Sequence, residues 1–376
     1  MRLALLLAAP FPLHQGSQAF VSAQARALRR AGATPEVVCY GASDGSSADV
    51  PIVATAPIVT ASKLRSSASP AKLVTDLALG RVLARAHRRM PFEAILAHNS
   101  EAAAIALAMR RRLGIPVVYV VHTLLRHELS AYGPPGLGAL LDRVGGLVER
   151  ALARRADATL VLCDEARDEL APHAGGPLAV IPPGLDPGDP PGFAACEAAC
   201  RRRALPLGRF VLYTGNVDRY QDLDRLDAAA ARLPDVPFLV ATHDARGAAF
   251  GTLRVVEVDD RAEMRALLHA CGVAVLPRRR PGGFPIKLLN YMEAGRPIVA
   301  CQGVGAGLAH GESAWLLPAR AGPGAWAEAV QGLLEDPRRA RALGAGARRH
   351  LEAVHAWPDL ARRTLDLLGR VAPRGR

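Results

Sequence analysis

Long apolar runs are missing from this chain of 376 residues: no stretch approaches the ~20 residues that a helix needs to cross a bilayer. Aromatic residues are scarce, at 5%, while alanine is abundant, which disfavours a β-sandwich and favours helices. Paired metal-ligand spacing is also absent. Cys196 and Cys200 stand one helical turn apart, but no His or Cys cluster accompanies them, so no metal site is expected. With Cys39, Cys163, Cys271 and Cys301 they are scattered, and five of the six lie in apolar strand-like or helical stretches. They read as small buried hydrophobes in a reducing compartment. Lysines are very few, so the net charge of +12 rests almost wholly on arginine, spread over many helices rather than gathered in a tail. Alanine, glycine and proline are inflated alongside arginine, so part of that charge is compositional. The rest suits an anionic membrane surface or a polyanionic ligand. Neither a zinc finger nor a basic zipper nor an aromatic–basic RNA-binding pattern is present, and no nucleic-acid partner is expected.

What the chain does have is alternation. Its length exceeds one ordinary core, and with half its residues hydrophobic it can fill two. Apolar strands are expected at 3–8, 36–40, 94–97, 117–121 and 158–162, with amphipathic helices at 19–30, around 81–89 and at 101–112. The apolar start, residues 1–10, lacks a clear cleavage signature and reads as a first buried parallel strand rather than a signal peptide. A breaker-rich segment, residues 182–192, can be neither a helix nor a central strand and reads as a linker. After it the rhythm restarts: strands at 210–214, 237–241, 255–258, 273–276 and 297–300, helices at 222–232 and 261–270. Strand and helix in this order predict parallel sheets covered on both faces, with ligands at the carboxyl ends of the strands. Gly16, His98, Asn99 and His122 fall at those ends.

The most informative stretch runs from Arg278 to Ala300. It leaves an apolar strand, crosses a turn containing Gly282 and Gly283, and opens a helix expected to begin near Pro285, a residue suited to the first helical position. Glycines let a ligand approach the backbone, and Arg278 and Lys287 can add charge-assisted hydrogen bonds to phosphate. Basic loops usually just cap helices. Glycines, proline and lysine together on a strand-to-helix turn favour an anion site.

The order and spacing of several segments resemble a family 4 glycosyltransferase of the GT-B fold. They are the glycine turn after the first strand, the His122 that closes residues 117–121, the linker around Pro182-Pro183-Gly184, Tyr213-Thr214-Gly215-Asn216, and Pro285-Ile286-Lys287 running on to Ala300. The resemblance covers essentially the whole chain. It implies an α/β protein of two tandem Rossmann-like domains whose parallel sheets face a central cleft. An acceptor-side domain would span 1–182, a linker 183–192 and a nucleotide-sugar domain 193–355, with a C-terminal helix, 356–376, packing back on the first. It further implies a metal-independent retaining transferase that uses a nucleoside-diphosphate sugar as donor, needs no cofactor, and works on a sugar, lipid-linked or small-molecule acceptor. The products would be cell-surface glycans, glycolipids or glycosides, made in the cytoplasm at or near the inner face of the membrane.

Departures from the family pattern are specific. Relatives commonly carry a glutamate pair where this chain has Gly282 and Asn290, and Arg and Lys where it has Asn216 and Gln221. The chain resembles instead a branch reading Tyr-Thr-Gly-Asn and Tyr-Gln, then Pro-x-Lys-Leu-x-x-Tyr, here Tyr213 to Asn216, Tyr220-Gln221 and Pro285 to Tyr291. By this resemblance His122, Lys287 and Arg278 are catalytic candidates, the two cations neutralising the diphosphate and His122 bonding a sugar hydroxyl or polarising the acceptor region. Gly16, Gly215, Asn216, Gln221, Gly282, Gly283, Phe284, Pro285, Ile286 and Asn290 are donor-side candidates, and His14, His98 and Asn99 acceptor-side ones. The four missing polar residues leave open a sugar-nucleotide-binding scaffold without transfer activity, and the two-domain plan a nucleotide-sugar epimerase. The helix at 80–89 alternates apolar and cationic positions, as a helix lying on anionic lipid does; a solvated face of a packed helix has the same pattern.

Overall fold

The computed structural model describes residues 1–11, 16–41, 50–56, 70–132, 136–279 and 283–371. Two compact units make up the chain: Met1–Gly184 with Gly282–Phe284 and Trp357–Arg376, and Leu185–Pro281 with Pro285–Ala356. The division falls inside the breaker-rich segment. Beyond it, Leu185 N–H donates to the His355 carbonyl at 3.0 Å and the Asp189 carbonyl accepts from Arg265 at 3.1 Å, both contacts within the second unit.

In the first unit, seven strands among the described residues form one parallel sheet: β1 (Arg2–Pro10), β2 (Thr34–Tyr40), β3 (Ile52–Ala54), β4 (Ala94–His98), β5 (Val117–Val121), β6 (Ala158–Val161) and β7 (Leu178–Val180). Their spatial order is β3-β2-β1-β4-β5-β6-β7. From β1 the chain winds one way through β2 and β3, and from β4 the other way, which leaves a crevice at the carboxyl ends of β1 and β4 where ligands of such sheets bind. β1 is apolar along nearly its whole length because helices cover both of its faces. Those helices are α1 (Gly16–Arg30), α2 (Pro70–Arg89), α3 (Asn99–Leu113), α4 (Leu125–Tyr132), α5 (Gly138–Arg155) and α6 (Asp164–Leu170). α3 stops at Gly114, whose φ of +67° lets its N–H return to the Arg110 carbonyl. The core sits between sheet and helices, with Leu79, Leu83, Ala106, Tyr119 and Ala153 among its buried members.

The second unit repeats the plan with α7 (Phe193–Arg202), β8 (Val211–Thr214), α8 (Leu223–Ala230), β9 (Phe238–Thr242), β10 (Arg254–Glu257), α9 (Arg261–Ala270), β11 (Val273–Leu276), α10 (Lys287–Glu293), β12 (Ile298–Cys301), β13 (Trp315–Leu317), α11 (Pro323–Glu335) and α12 (Pro337–Val354). Among the described residues its strands run β10-β9-β8-β11-β12-β13, all parallel, with the switch between β8 and β11. Asp260 caps α9 by accepting from Ala262 N–H at 2.8 Å, and Asp336 with Pro337 starts α12 in the same manner. The final helix, α13 (Trp357–Val371), belongs to the first unit.

Three expected local details differ. Gly16 is the first residue of α1 rather than a turn ahead of it, because a helix N-terminus accepts glycine at little cost. Asp222 is not helical but takes φ +57° ahead of α8, where its carboxylate holds Arg279 at 2.8 Å. The helix expected near Pro285 is recorded from Lys287, after a tight turn in which the Pro285 carbonyl accepts from Leu288 N–H at 2.8 Å.

Candidate functional site

Polar side chains gather at the switch point of each sheet. In the first unit His98 ends β4 and is wholly buried, and His122 follows β5 with 8% of its surface exposed. Neighbouring strands in register bring them together, His98 pairing with Val120. His98 Nδ1 and His122 Nε2 share a hydrogen bond of 2.9 Å. Phe20 of α1 stands edge-on to the His122 ring, centroids 4.9 Å apart at 82°. Asn99 adopts φ +70°, a left-handed conformation that asparagine tolerates better than most residues. There its Oδ1 accepts from His122 N–H at 3.4 Å. Burial holds both imidazoles neutral, lowering the pKa of His122 to about 3 and that of His98 well below the ordinary histidine range, with the neighbouring His122 acting in the same direction.

His98, expected on the acceptor side, is enclosed in this arrangement. It has no exposed surface, and its Nδ1 is engaged by His122. His14 and Gly282 lie outside the described residues. Gly283 and Phe284 group with the first unit. At φ +85°, a Cβ on Gly283 would stand 2.1 Å from the His122 carbonyl oxygen, so only glycine fits there.

The second unit's cluster centres on Lys287. Its Nζ donates to the Tyr213 hydroxyl at 2.5 Å and to Gln221 Oε1 at 3.4 Å, and lies 3.9 Å from the centroid of the Tyr213 ring. Tyr213 donates in turn to the Asn216 carbonyl at 2.8 Å, and Gln221 Nε2 to Asn216 Oδ1 at 2.8 Å. Asn216 Nδ2 reaches the Tyr220 hydroxyl at 3.2 Å, and the Arg278 guanidinium lies 6.0 Å from the Tyr220 ring. Gly215 is required by shape: its φ is +116°, and a Cβ would stand 2.8 Å from Lys287 Nζ. Tyr291 fixes the end of β8 by accepting from Thr214 N–H at 2.8 Å.

Two cations thus stand near each other, and Arg278 is itself buried. Burial, and then the charge of Arg278, push the pKa of Lys287 well below the usual lysine range, opposed only in part by Asp218. An anion bound there would favour the ammonium form of a lysine so placed. These side chains offer an anion more than the mouth of α10 does, since that helix of seven residues carries little dipole. Pro285 is buried and Ile286 half-buried ahead of α10. The Asn290 side chain is half-buried and makes no hydrogen bond among the described residues.

Several contributors escape sequence reasoning. Tyr213 was visible as a motif residue, but its bond to a lysine 74 positions away was not. Phe20 reads as an ordinary apolar residue of α1. Glu149, fully buried in α5, caps α4 by accepting from Leu125 N–H and from Arg126 N–H at 3.5 Å. Burial raises its pKa to about 7 despite those bonds. Arg126 is held in turn by both carboxylate oxygens of Asp142, at 3.1 and 2.7 Å.

Two doubly wound parallel sheets, the second with a cationic cluster at its switch point, define an α/β protein of the GT-B architecture. The chain belongs to the family 4 glycosyltransferases: a model described as Glycosyltransferase Family 4 matches residues 14–189, and one described as Glycosyl transferases group 1 matches residues 207–336. It is similar to the D-inositol 3-phosphate glycosyltransferase of Xylanimonas cellulosilytica, 26% identical over 99% of this chain and 97% of that one. Sucrose-phosphate synthase from Thermosynechococcus elongatus has the same fold, with a TM-score of 0.81 at 19% identity over 98% of each chain. So does HepE from Anabaena in complex with UDP and glucose, with a TM-score of 0.74 at 16% identity over 98% of this chain and 99% of that one. The chain is a glycosyltransferase.

Proposed function

We propose that this glycosyltransferase moves a sugar from a nucleoside-diphosphate sugar to an acceptor hydroxyl with retention of configuration, in the assembly of a cell-surface glycan, glycolipid or glycoside in the cytoplasm. The bond between the anomeric carbon and the phosphate oxygen breaks with its electrons leaving on the diphosphate, and the acceptor oxygen takes that place on the carbon as its proton passes to the departing diphosphate oxygen. The observation that carries this reading is Lys287, half-buried beside Arg278 and tethered by Tyr213 and Gln221 at the β8 and β11 switch point. Preorganised cations aimed at a leaving phosphate stabilise the charge that develops as the bond breaks, usually the largest contribution to catalysis. They also do the work that a metal would otherwise do. A panel of nucleotide sugars offered with sugar, lipid-linked and phosphorylated-polyol acceptors should reveal one donor that is turned over, unaffected by a chelator. Lys287→Ala should lower that turnover by roughly 10²- to 10³-fold. Binding of a donor without turnover by the wild type would overturn transfer in favour of the scaffold reading, and inversion of a sugar centre without acceptor would favour an epimerase.

We infer also that the first unit touches anionic lipid. On α2, Leu73, Val74 and Leu77 are exposed at 67, 55 and 64%, and the same face continues into the exposed Arg81, Arg85 and Arg88. Apolar side chains followed by cations along one helix match the acyl and headgroup layers of a negatively charged leaflet. No helix among the described residues is long and apolar enough to cross the membrane. The protein should float with vesicles containing anionic lipid and release as salt rises. Equal flotation with neutral vesicles, or none with either, would refute the contact.

A further inference from the structure

The histidine pair of the first unit contains an asymmetry that the proposed transfer reaction leaves unexplained. The bond between His98 Nδ1 and His122 Nε2 holds a single proton, because both rings are neutral in their buried surroundings. Two assignments are open. In one, His122 donates from Nε2, and His98 must then carry its own proton on Nε2. In the other, His98 donates from Nδ1, and His122 must carry its proton on Nδ1. The two differ at His98 Nε2, which is buried and has no hydrogen-bond partner among the described residues. The first assignment strands an N–H donor there; the second strands only a lone pair. Orphaned buried N–H groups are rarer in folded proteins than under-used acceptors. The second assignment is therefore favoured.

We propose that His98 is a positioning residue that donates from Nδ1 to His122 and so fixes His122 as the Nδ1–H tautomer, with one hydrogen-bond donor and no acceptor left for substrate. The rest of the pocket supports a fixed ring. Phe20 meets the ring of His122 edge-on at 4.9 Å and is itself backed by Trp357 at 5.8 Å. The backbone of His122 is held by Asn99. A ring restrained in this way cannot exchange its two nitrogens by flipping without breaking the bond to His98 and displacing Phe20. The consequence concerns ligand chemistry: His122 would bind an oxygen lone pair, such as that of a sugar hydroxyl or a departing oxygen, and would not act as a general base. This inference rests on the transferase reading only for its activity arm.

The test begins with the ligand-free protein carrying 15N-labelled histidine. Two-bond nitrogen–proton correlations should show one His122 ring protonated at Nδ1 and one His98 ring protonated at Nδ1. A His122 ring protonated at Nε2 overturns the proposal, whatever the enzyme's activity. His98→Leu should give a mixture of His122 tautomers and lower kcat about tenfold with donor KM little changed, as expected for loss of one orienting hydrogen bond. His98→Asn places an amide N–H near the position of Nδ1 and should restore most of kcat and the single tautomer. Unchanged tautomer and unchanged kcat in His98→Leu would overturn the proposal. Should that variant fail to fold, the wild-type spectrum alone decides.

Discussion

At the scale of single residues the candidate site centres on one lysine whose pKa is pushed down by burial and by Arg278. Asn216 and Gln221 carry no charge and do not compete with Lys287 for an anion; they orient it, Gln221 directly and Asn216 through Tyr213. A lysine whose pKa is depressed by burial and by Arg278 loses its proton as pH rises through a value well under the ordinary one. A bound diphosphate favours the ammonium form and moves the pKa back up. Donor binding should therefore take up a proton at alkaline pH, and affinity should fall as pH rises through the depressed pKa of the free protein. Titration calorimetry of the nucleoside diphosphate in two buffers of different ionisation heat measures that uptake. Lys287→Met should abolish it. Binding without proton uptake at any alkaline pH would mean that Lys287 is already charged in the free protein, or does not meet the diphosphate.

At the scale of elements, legibility followed length. β1, β4, β5, β8 and β11 are runs of apolar residues buried on both faces, and such runs stand out in a sequence. β3, β7 and β13 have three residues each, too few to show any period, and they occupy the sheet edges where pairing to one neighbour suffices. The site divides in the same way. Lys287, Gly215 and His122 could be found because each follows a strand at a place where parallel sheets bind ligands. What could not be found were the partners: Tyr213 for Lys287, His98 and Phe20 for His122, Glu149 for the start of α4. Each is a contact between elements distant in sequence, set by strand order and register. The shift of α10 from Pro285 to Lys287 has a local cause, since the Pro285 carbonyl closes a tighter turn onto Leu288 before the helix proper begins.

At the scale of the whole chain, the last helix ties the end of the sequence to its beginning. α13 leaves the second unit at Ala356 and belongs to the first. Its apolar face, Trp357, Leu360, Ala361, Leu367 and Leu368, is buried, and Arg363 donates to the Val180 carbonyl at 2.6 Å. Trp357 packs on Phe20, the residue that also holds the His122 ring. Removing that indole should cost the first unit about 3–5 kcal/mol, the range for a buried aromatic cut to alanine. In Trp357→Ala, hydrogen exchange should accelerate in α1, α13 and the residues around His122, because these share the lost contact. Exchange in β8, β11 and α10, which belong to the second unit, should stay as it was. Equal acceleration in both units would show that they unfold as one body, and the first unit's stability could then no longer be assigned to the return of α13. Acceleration confined to the first unit, with His122 included, would make the C-terminal helix a support of the candidate site, even though it is the segment farthest in sequence from α1.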